Sequence, residues 1–135
     1  MCSNSPPILN SWLPPKSDVS KILAHWSDDA VLIFPGNMSV SGRIEGKEAI
    51  EEFFTRYMEQ FPKLHFSIKN TYIKNMLAIG FSNTIASEFE CIYTNRNGET
   101  FENSGVTVIK IRRGKVVQLQ DYYFDTDKLK RAWGE

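Results

Sequence analysis

The chain reads as an α+β domain in which a cone-shaped, strongly curved antiparallel sheet wraps over one long helix. Three observations predict this. One helical segment carries a continuous aromatic stripe, a run of strand-like segments follows it, and tight hairpin signals separate those strands. The length of 135 residues suits a single domain. A sheet of this kind must bury one face, and the long helix is the element with enough apolar surface to cover it. A curved sheet closed by one helix leaves an open end, where a pocket is expected.

Residues 1–20 are read as an N-terminal arm and 21–135 as the domain. Pro6-Pro7 and Pro14-Pro15 prevent regular helix in the arm. Its apolar residues Ile8, Leu9, Trp12 and Leu13 leave two readings open, a flexible tail or a strap docked on the domain or on a neighbouring subunit. Ser17 or Asp18 can cap a short helix carrying Val19, Ile22, Leu23 and Trp26 at helical spacing. Residues 30–34 form an apolar strand ended by Pro35-Gly36.

The long helix spans 47–61. Ile50, Phe53, Phe54, Tyr57, Met58 and Phe61 share one face, Glu48, Glu51 and Glu52 suit its positive N-terminal end, and Pro62 stops it. After Pro62 the period changes to two: Leu64, Phe66 and Ile68 alternate with His65, Ser67 and Lys69. Residues 84–94 are strand-like, Asn95-Arg96-Asn97-Gly98 is a hairpin turn, and 100–111 is a long strand. Arg112-Arg113-Gly114-Lys115 turns the chain again, with its arginines read as a solvated tip, and 116–124 pairs back. Asp125 or Thr126 caps a last short helix containing Leu129 and Trp133.

Composition narrows the function. Sixteen basic and sixteen acidic side chains balance, so nothing argues for nucleic acid or an anionic membrane as partner. No segment approaches the roughly 18 apolar residues of a membrane span. Cys2 and Cys91 read as free thiols in a reducing, cytoplasmic setting. Two histidines and two scattered cysteines do not make a zinc site, and phosphate-loop, dinucleotide, HExxH and GxSxG strings are missing, so no cofactor or metal is expected.

Trp26-Ser27-Asp28-Asp29-Ala30-Val31, the helix opening Gly46-Lys47-Glu48-Ala49-Ile50, and Gly114-Lys115-Val116-Val117 followed by Asp121-Tyr122-Tyr123-Phe124-Asp125 occur in an order that resembles the nuclear-transport-factor-2-like (cystatin-like) superfamily. The nearest branch is SnoaL-like, related to ketosteroid isomerases and limonene epoxide hydrolases. The resemblance implies the cone fold with a hydrophobic pocket, and cofactor-free isomerase, cyclase or hydrolase chemistry on a hydrophobic carbonyl or epoxide. It does not carry over the relatives' catalytic sets. The isomerase base position falls on Phe34 before Pro35, and its oxyanion Asp near Val106 or Thr107. Of the epoxide-hydrolase set, Asp121 matches, while Glu90, Glu88, Leu32 and Phe34 stand at the other positions. SnoaL-like cyclases use a pocket carboxyl group, which Asp121 can supply.

Strand alternation tests whether the acids meet. If Asp121 points inward, so do Leu119 and Tyr123; if Glu90 points inward, so does Glu88, and Phe89, Cys91 and Tyr93 lie outside. Phe89 and Tyr93, together with Tyr122, would then make a sticky outer face suited to a homodimer formed sheet to sheet. The opposite choice, with Phe89, Cys91 and Tyr93 buried and both glutamates solvated, stays open. The expected catalytic pair is Asp121 and Glu90. The expected substrate-binding residues are Glu88, Asn103, Tyr123, Phe34, Leu32, Tyr57 and Phe61, with Tyr123 and Asn103 as hydrogen-bond donors. Asp121 could instead be structural, and a non-catalytic binding protein or a protein-association module is the alternative function.

Overall fold

A computed structural model describes residues 19–78 and 81–135. The expected arm, with Cys2 and the Ser17 or Asp18 cap, lies outside the described residues. A short helix α1 (Val19–Leu23) leads into β1 (Trp26–Phe34), β2 (Gly42–Glu45), the long helix α2 (Lys47–Gln60), β3 (Lys63–Ile73), β4 (Ser82–Thr94), β5 (Thr100–Arg112), β6 (Lys115–Tyr123) and α3 (Thr126–Ala132). The strands form one sheet in the order β2-β1-β6-β5-β4-β3. All neighbours are antiparallel except β1 and β6, which run parallel. Among the described residues, no helix is long and apolar enough to cross a membrane.

Two elements differ from the sequence reading. Trp26 opens β1 rather than sitting on α1, because its buried ring packs edge-on to Phe54 at 6.2 Å, under α2. Strand β2 was not expected. Its four residues are mostly exposed, so they show no apolar alternation, and only pairing with β1 makes them a strand. As an edge strand it carries the ion pair Arg43–Glu45, the type of feature that discourages further strand addition.

Register shifts between Trp26 and Val31, Ile68 and Asn70, and Lys110 and Ile111 interrupt the ladders. Such irregularities bend strands and sharpen sheet twist. The concave side receives α2, whose Ile50, Phe53 and Tyr57 are buried, as the helical spacing predicts. Phe34 sits at the centre of the resulting cluster, with ring centroids 5.0 Å from Phe53 and 6.0 Å from both Tyr57 and Tyr123.

Helix α3 closes the wide end. Asp125 caps it by accepting from the Lys128 amide at 2.9 Å. Its Ala132 carbonyl accepts from the side-chain amides of Gln60 (2.9 Å) and Asn95 (3.1 Å). Trp133 then lies against Phe61, Tyr57 and Phe34, at 5.3, 5.9 and 6.4 Å between ring centroids.

Where β4, β5 and β6 cross beneath the cluster, Gly105 has no room for a side chain. A Cβ built there would stand 2.1 Å from the Tyr122 carbonyl oxygen and 2.8 Å from the Phe89 ring. The backbone contact cannot swing away as a side chain could. Gly105→Ala is therefore expected to destabilise the fold by about 3 kcal/mol or more, read as a lower urea midpoint at unchanged slope.

Candidate functional site

Asp121 points inward from β6, as the alternation with Leu119 and Tyr123 requires. It is only 9% exposed and is the one charged side chain buried among the described residues. Thr107 stands directly opposite on β5, and its hydroxyl donates to Asp121 Oδ1 at 2.7 Å. Phe34, Phe53, Phe54, Tyr57, Phe66 and Tyr123 complete the wall of a hollow of about 10 Å³ around this carboxyl. That is room for about one water molecule. The hydroxyls of Tyr57 and Tyr123 lie 3.1 Å apart, so one donates to the other and the second proton stays available.

The apolar wall sets the proton affinities. Loss of water pushes the Asp121 carboxyl up to about 6, partly offset by the Thr107 hydrogen bond. Burial holds both tyrosine phenols well above their ordinary range, so they remain donors. The buried Cys91 thiol is pushed up to about 12, chiefly by desolvation, which leaves it a packing residue rather than a nucleophile.

The hollow brings together Asp121, Tyr123, Tyr57 and Phe34 from the expected set. Leu32 and Phe61 are buried in the core but do not line it. The two glutamates are placed on the other face of the sheet, against the expectation that they would meet Asp121. Phe89, Cys91 and Tyr93 take the inward positions of β4, because burying three apolar groups is favourable and burying two unpaired carboxylates is not. Glu90 instead pairs with Lys69 Nζ at 2.9 Å, and Glu88 accepts from the Tyr72 hydroxyl. The outer face consequently lacks Phe89 and Tyr93 and keeps Tyr122.

Asn103 does point inward, but its capacity is already used. Its side-chain amide donates to the Tyr93 hydroxyl (3.2 Å) and the Asp125 carbonyl (2.9 Å), and its oxygen accepts from the Ser104 and Asp125 amides. It brackets the start of α3 rather than offering a donor to a ligand. Thr107 was missed as a partner of Asp121. The signal was present, since both fall on inward positions of adjacent strands, but their pairing depends on register. Phe53, Phe54 and Phe66 were not among the expected binding residues, yet they form part of the wall.

A larger concavity of about 480 Å³ lies away from this hollow, lined by His65, Ser67, Glu90, Ile92, Glu102 and Lys128 among others. Two of its charged groups already have partners: Glu90 holds Lys69, and Lys128 Nζ donates to the Glu102 backbone carbonyl at 2.8 Å. Size alone therefore does not make it the better candidate. Among the described residues, no group of three His, Cys, Asp or Glu side chains is placed to hold a metal ion.

A bent sheet closed by one long helix, with a single carboxyl hidden in an aromatic hollow, defines a class of small cone-shaped α+β proteins. Within it, the chain belongs to the SnoaL-like domain family, whose model matches residues 15–119. It is 32% identical over 100 residues to the uncharacterised protein YesE of Bacillus subtilis; this alignment covers 73% of the chain and 65% of YesE, less than two thirds of that protein. Among solved structures, it is similar to a provisionally assigned isomerase from Bacillus subtilis (28% identity, TM-score 0.68, covering 95% of this chain and 88% of that one). An NTF2-like protein of unknown function from Burkholderia pseudomallei superposes with a TM-score of 0.74 at 19% identity, covering 89% and 88%. The fold is thus NTF2-like.

The raised proton affinity of Asp121 makes stability depend on pH. Well below pH 3.8 the group is neutral whether the chain is folded or not. Between the ordinary carboxyl value of 3.8 and about 6 the folded state binds the proton more tightly, so stability falls by about 3 kcal/mol as pH rises through this window. Asp121→Asn is expected to remove that slope and to be the more stable protein above pH 6. Urea titrations across the pH range check this.

Proposed function

We propose that the chain is a cofactor-free acid/base enzyme that moves a proton on a small hydrophobic carbonyl compound, with isomerisation as the reaction. The observation that carries this reading is the carboxyl of Asp121 in an aromatic hollow beside the paired Tyr57 and Tyr123 hydroxyls, its proton affinity raised by burial. Ionised, Asp121 takes a proton from carbon next to the carbonyl. Electron density moves to the carbonyl oxygen, where the free phenol proton of the Tyr57–Tyr123 pair can stabilise it. The neutral acid then returns the proton to a different carbon, and the catalyst is restored. Glu90, on the far face of the sheet, has no part in this mechanism.

The isomerase assignment of the Bacillus subtilis relative supports the reaction type. Against a purely binding role stands the cost of hiding an ionisable acid that no cation neutralises. A one-water hollow does not admit a substrate as it stands, so a wall ring such as Phe54 moves aside for entry. We also assign a homodimer through the outer sheet face, where Tyr122 is exposed beside half-buried Val106 and Ile33.

Exchange of the α-protons of small hydrophobic ketones into deuterated water, followed by NMR, tests the reading without knowledge of the natural substrate. Asp121→Asn is expected to lower the exchange rate by about 10²–10⁴-fold while leaving the fold intact. Tyr123→Phe is expected to lower it less, since Tyr57 remains. Full exchange in the Asn variant would remove Asp121 from the mechanism. Tight ligand binding with no exchange in the parent would leave a binding protein.

A further inference from the structure

Two hairpin tips meet at one end of the sheet, and they differ in character. The tip between β3 and β4 carries a short 3-10 turn, Met76–Ala78. Met76 and Leu77 in this turn are 68% and 99% exposed, and Phe81, which opens the return towards β4, is 71% exposed. This segment is built to hold them there. The Asn75 amide donates to Asn83 Oδ1 at 3.0 Å, Asn83 Nδ2 donates to the Asn75 carbonyl at 2.7 Å, and the Leu77 amide donates to Asn75 Oδ1 at 3.0 Å. The Asn83 side chain that organises this bracket is buried.

The neighbouring tip, between β5 and β6, is basic. Arg112 pairs across the hairpin with Lys115, and the Gly114 amide donates to the Phe81 carbonyl at 3.3 Å, which ties the two tips together. Arg113 is the one non-glycine residue with positive φ, 52°, among those described, and Gly114 follows at 77°. Asn, Asp or Gly makes that turn more easily, so the arginine is a conformational cost at the place where it adds charge. Lys74 and Lys110 flank the same end, and all five cations are exposed. Segments 71–87 and 103–120 contain no Asp or Glu. None of the five forms an ion pair among the described residues; Asp29 feels Arg112 only as a minor influence.

We propose that this end of the molecule docks on the surface of a bilayer containing anionic lipid. Met76, Leu77 and Phe81 enter the headgroup boundary, and Lys74, Lys110, Arg112, Arg113 and Lys115 lie over the phosphates. The chemistry of the end selects this partner over an acidic protein or a nucleic acid. Exposed apolar side chains beside unpaired cations need a partner that offers both an apolar medium and phosphates, whereas a nucleic acid offers phosphates alone and an acidic protein would need a matching apolar hollow. The neutral charge of the whole chain, which argued against an anionic surface, conceals this segregation.

Flotation with vesicles decides it. The full chain is expected to float with vesicles of phosphatidylcholine and phosphatidylglycerol, much less with phosphatidylcholine alone, and less as salt rises. Leu77→Asp and the double change Arg112→Glu with Arg113→Glu are each expected to reduce binding roughly tenfold or more, with unchanged circular dichroism. The proposal is overturned by no flotation at low salt, or by variants that float like the parent. Binding to RNA or polyglutamate without vesicle binding, or a tip variant that changes only self-association, equally overturns it.

Discussion

Helix α2 lays its aromatic stripe into the concave face of the sheet, and the completeness of that filling governs the rest of the molecule. Phe53 and Tyr57 reach Phe34 on β1, and Tyr57 reaches Phe61, which in turn meets Tyr93 on β4 at 5.2 Å. Rings at these separations and tilts contribute area burial and favourable edge-to-face contact together. Because the rings close on one another, the interior keeps almost no water. Any polar group inside it must find a protein partner or alter its charge state. Tyr57 and Tyr123 find each other, and Asp121 finds Thr107. The same dryness that stabilises the fold thus raises the proton affinity of Asp121.

What the sequence made legible follows from how redundantly each feature is encoded. The long helix was readable because six apolar residues repeat at helical spacing and a proline ends the run. The hairpin strands were readable because turn residues bound them. Strand β2 was not, since four exposed residues carry no periodic signal and owe their conformation to β1. The faces of β4 were the critical ambiguity. Glu88 and Glu90 alternate with Phe89, Cys91 and Tyr93, and a shift of one position moves the entire set across the sheet. Resemblance to an acid relay favoured the glutamates inside; the free energy of apolar burial favours the other phase. Register decides consistently, because Cys91 stands opposite Asn103 and Phe89 opposite Gly105, both inward residues of β5.

The site was accordingly legible in half. Asp121, Tyr123, Tyr57 and Phe34 could be named, since each stands among apolar residues at strand or helix spacing. The residues that hold them could not. Thr107 holds Asp121 only through the β5–β6 register, and Asn103 is consumed by contacts to Tyr93 and to the first residue before α3, a long-range closure that no local pattern encodes.

Charge shows the same separation between content and placement. Equal numbers of acids and bases say that the chain is balanced, yet the acids and bases are sorted along it. Glutamates gather at the start of α2 and on the outer face of β4, while the distal ends of β3 to β6 hold lysines and arginines alone. A sheet of hairpins places its turns at two opposite ends, so residues far apart in sequence share one end. Phe81 and Gly114 are neighbours for this reason. The topology that buries one carboxyl beneath the helix also gathers the cations at the far rim, and these two features, one hidden and one presented, are where the fold departs furthest from what its stability alone would require.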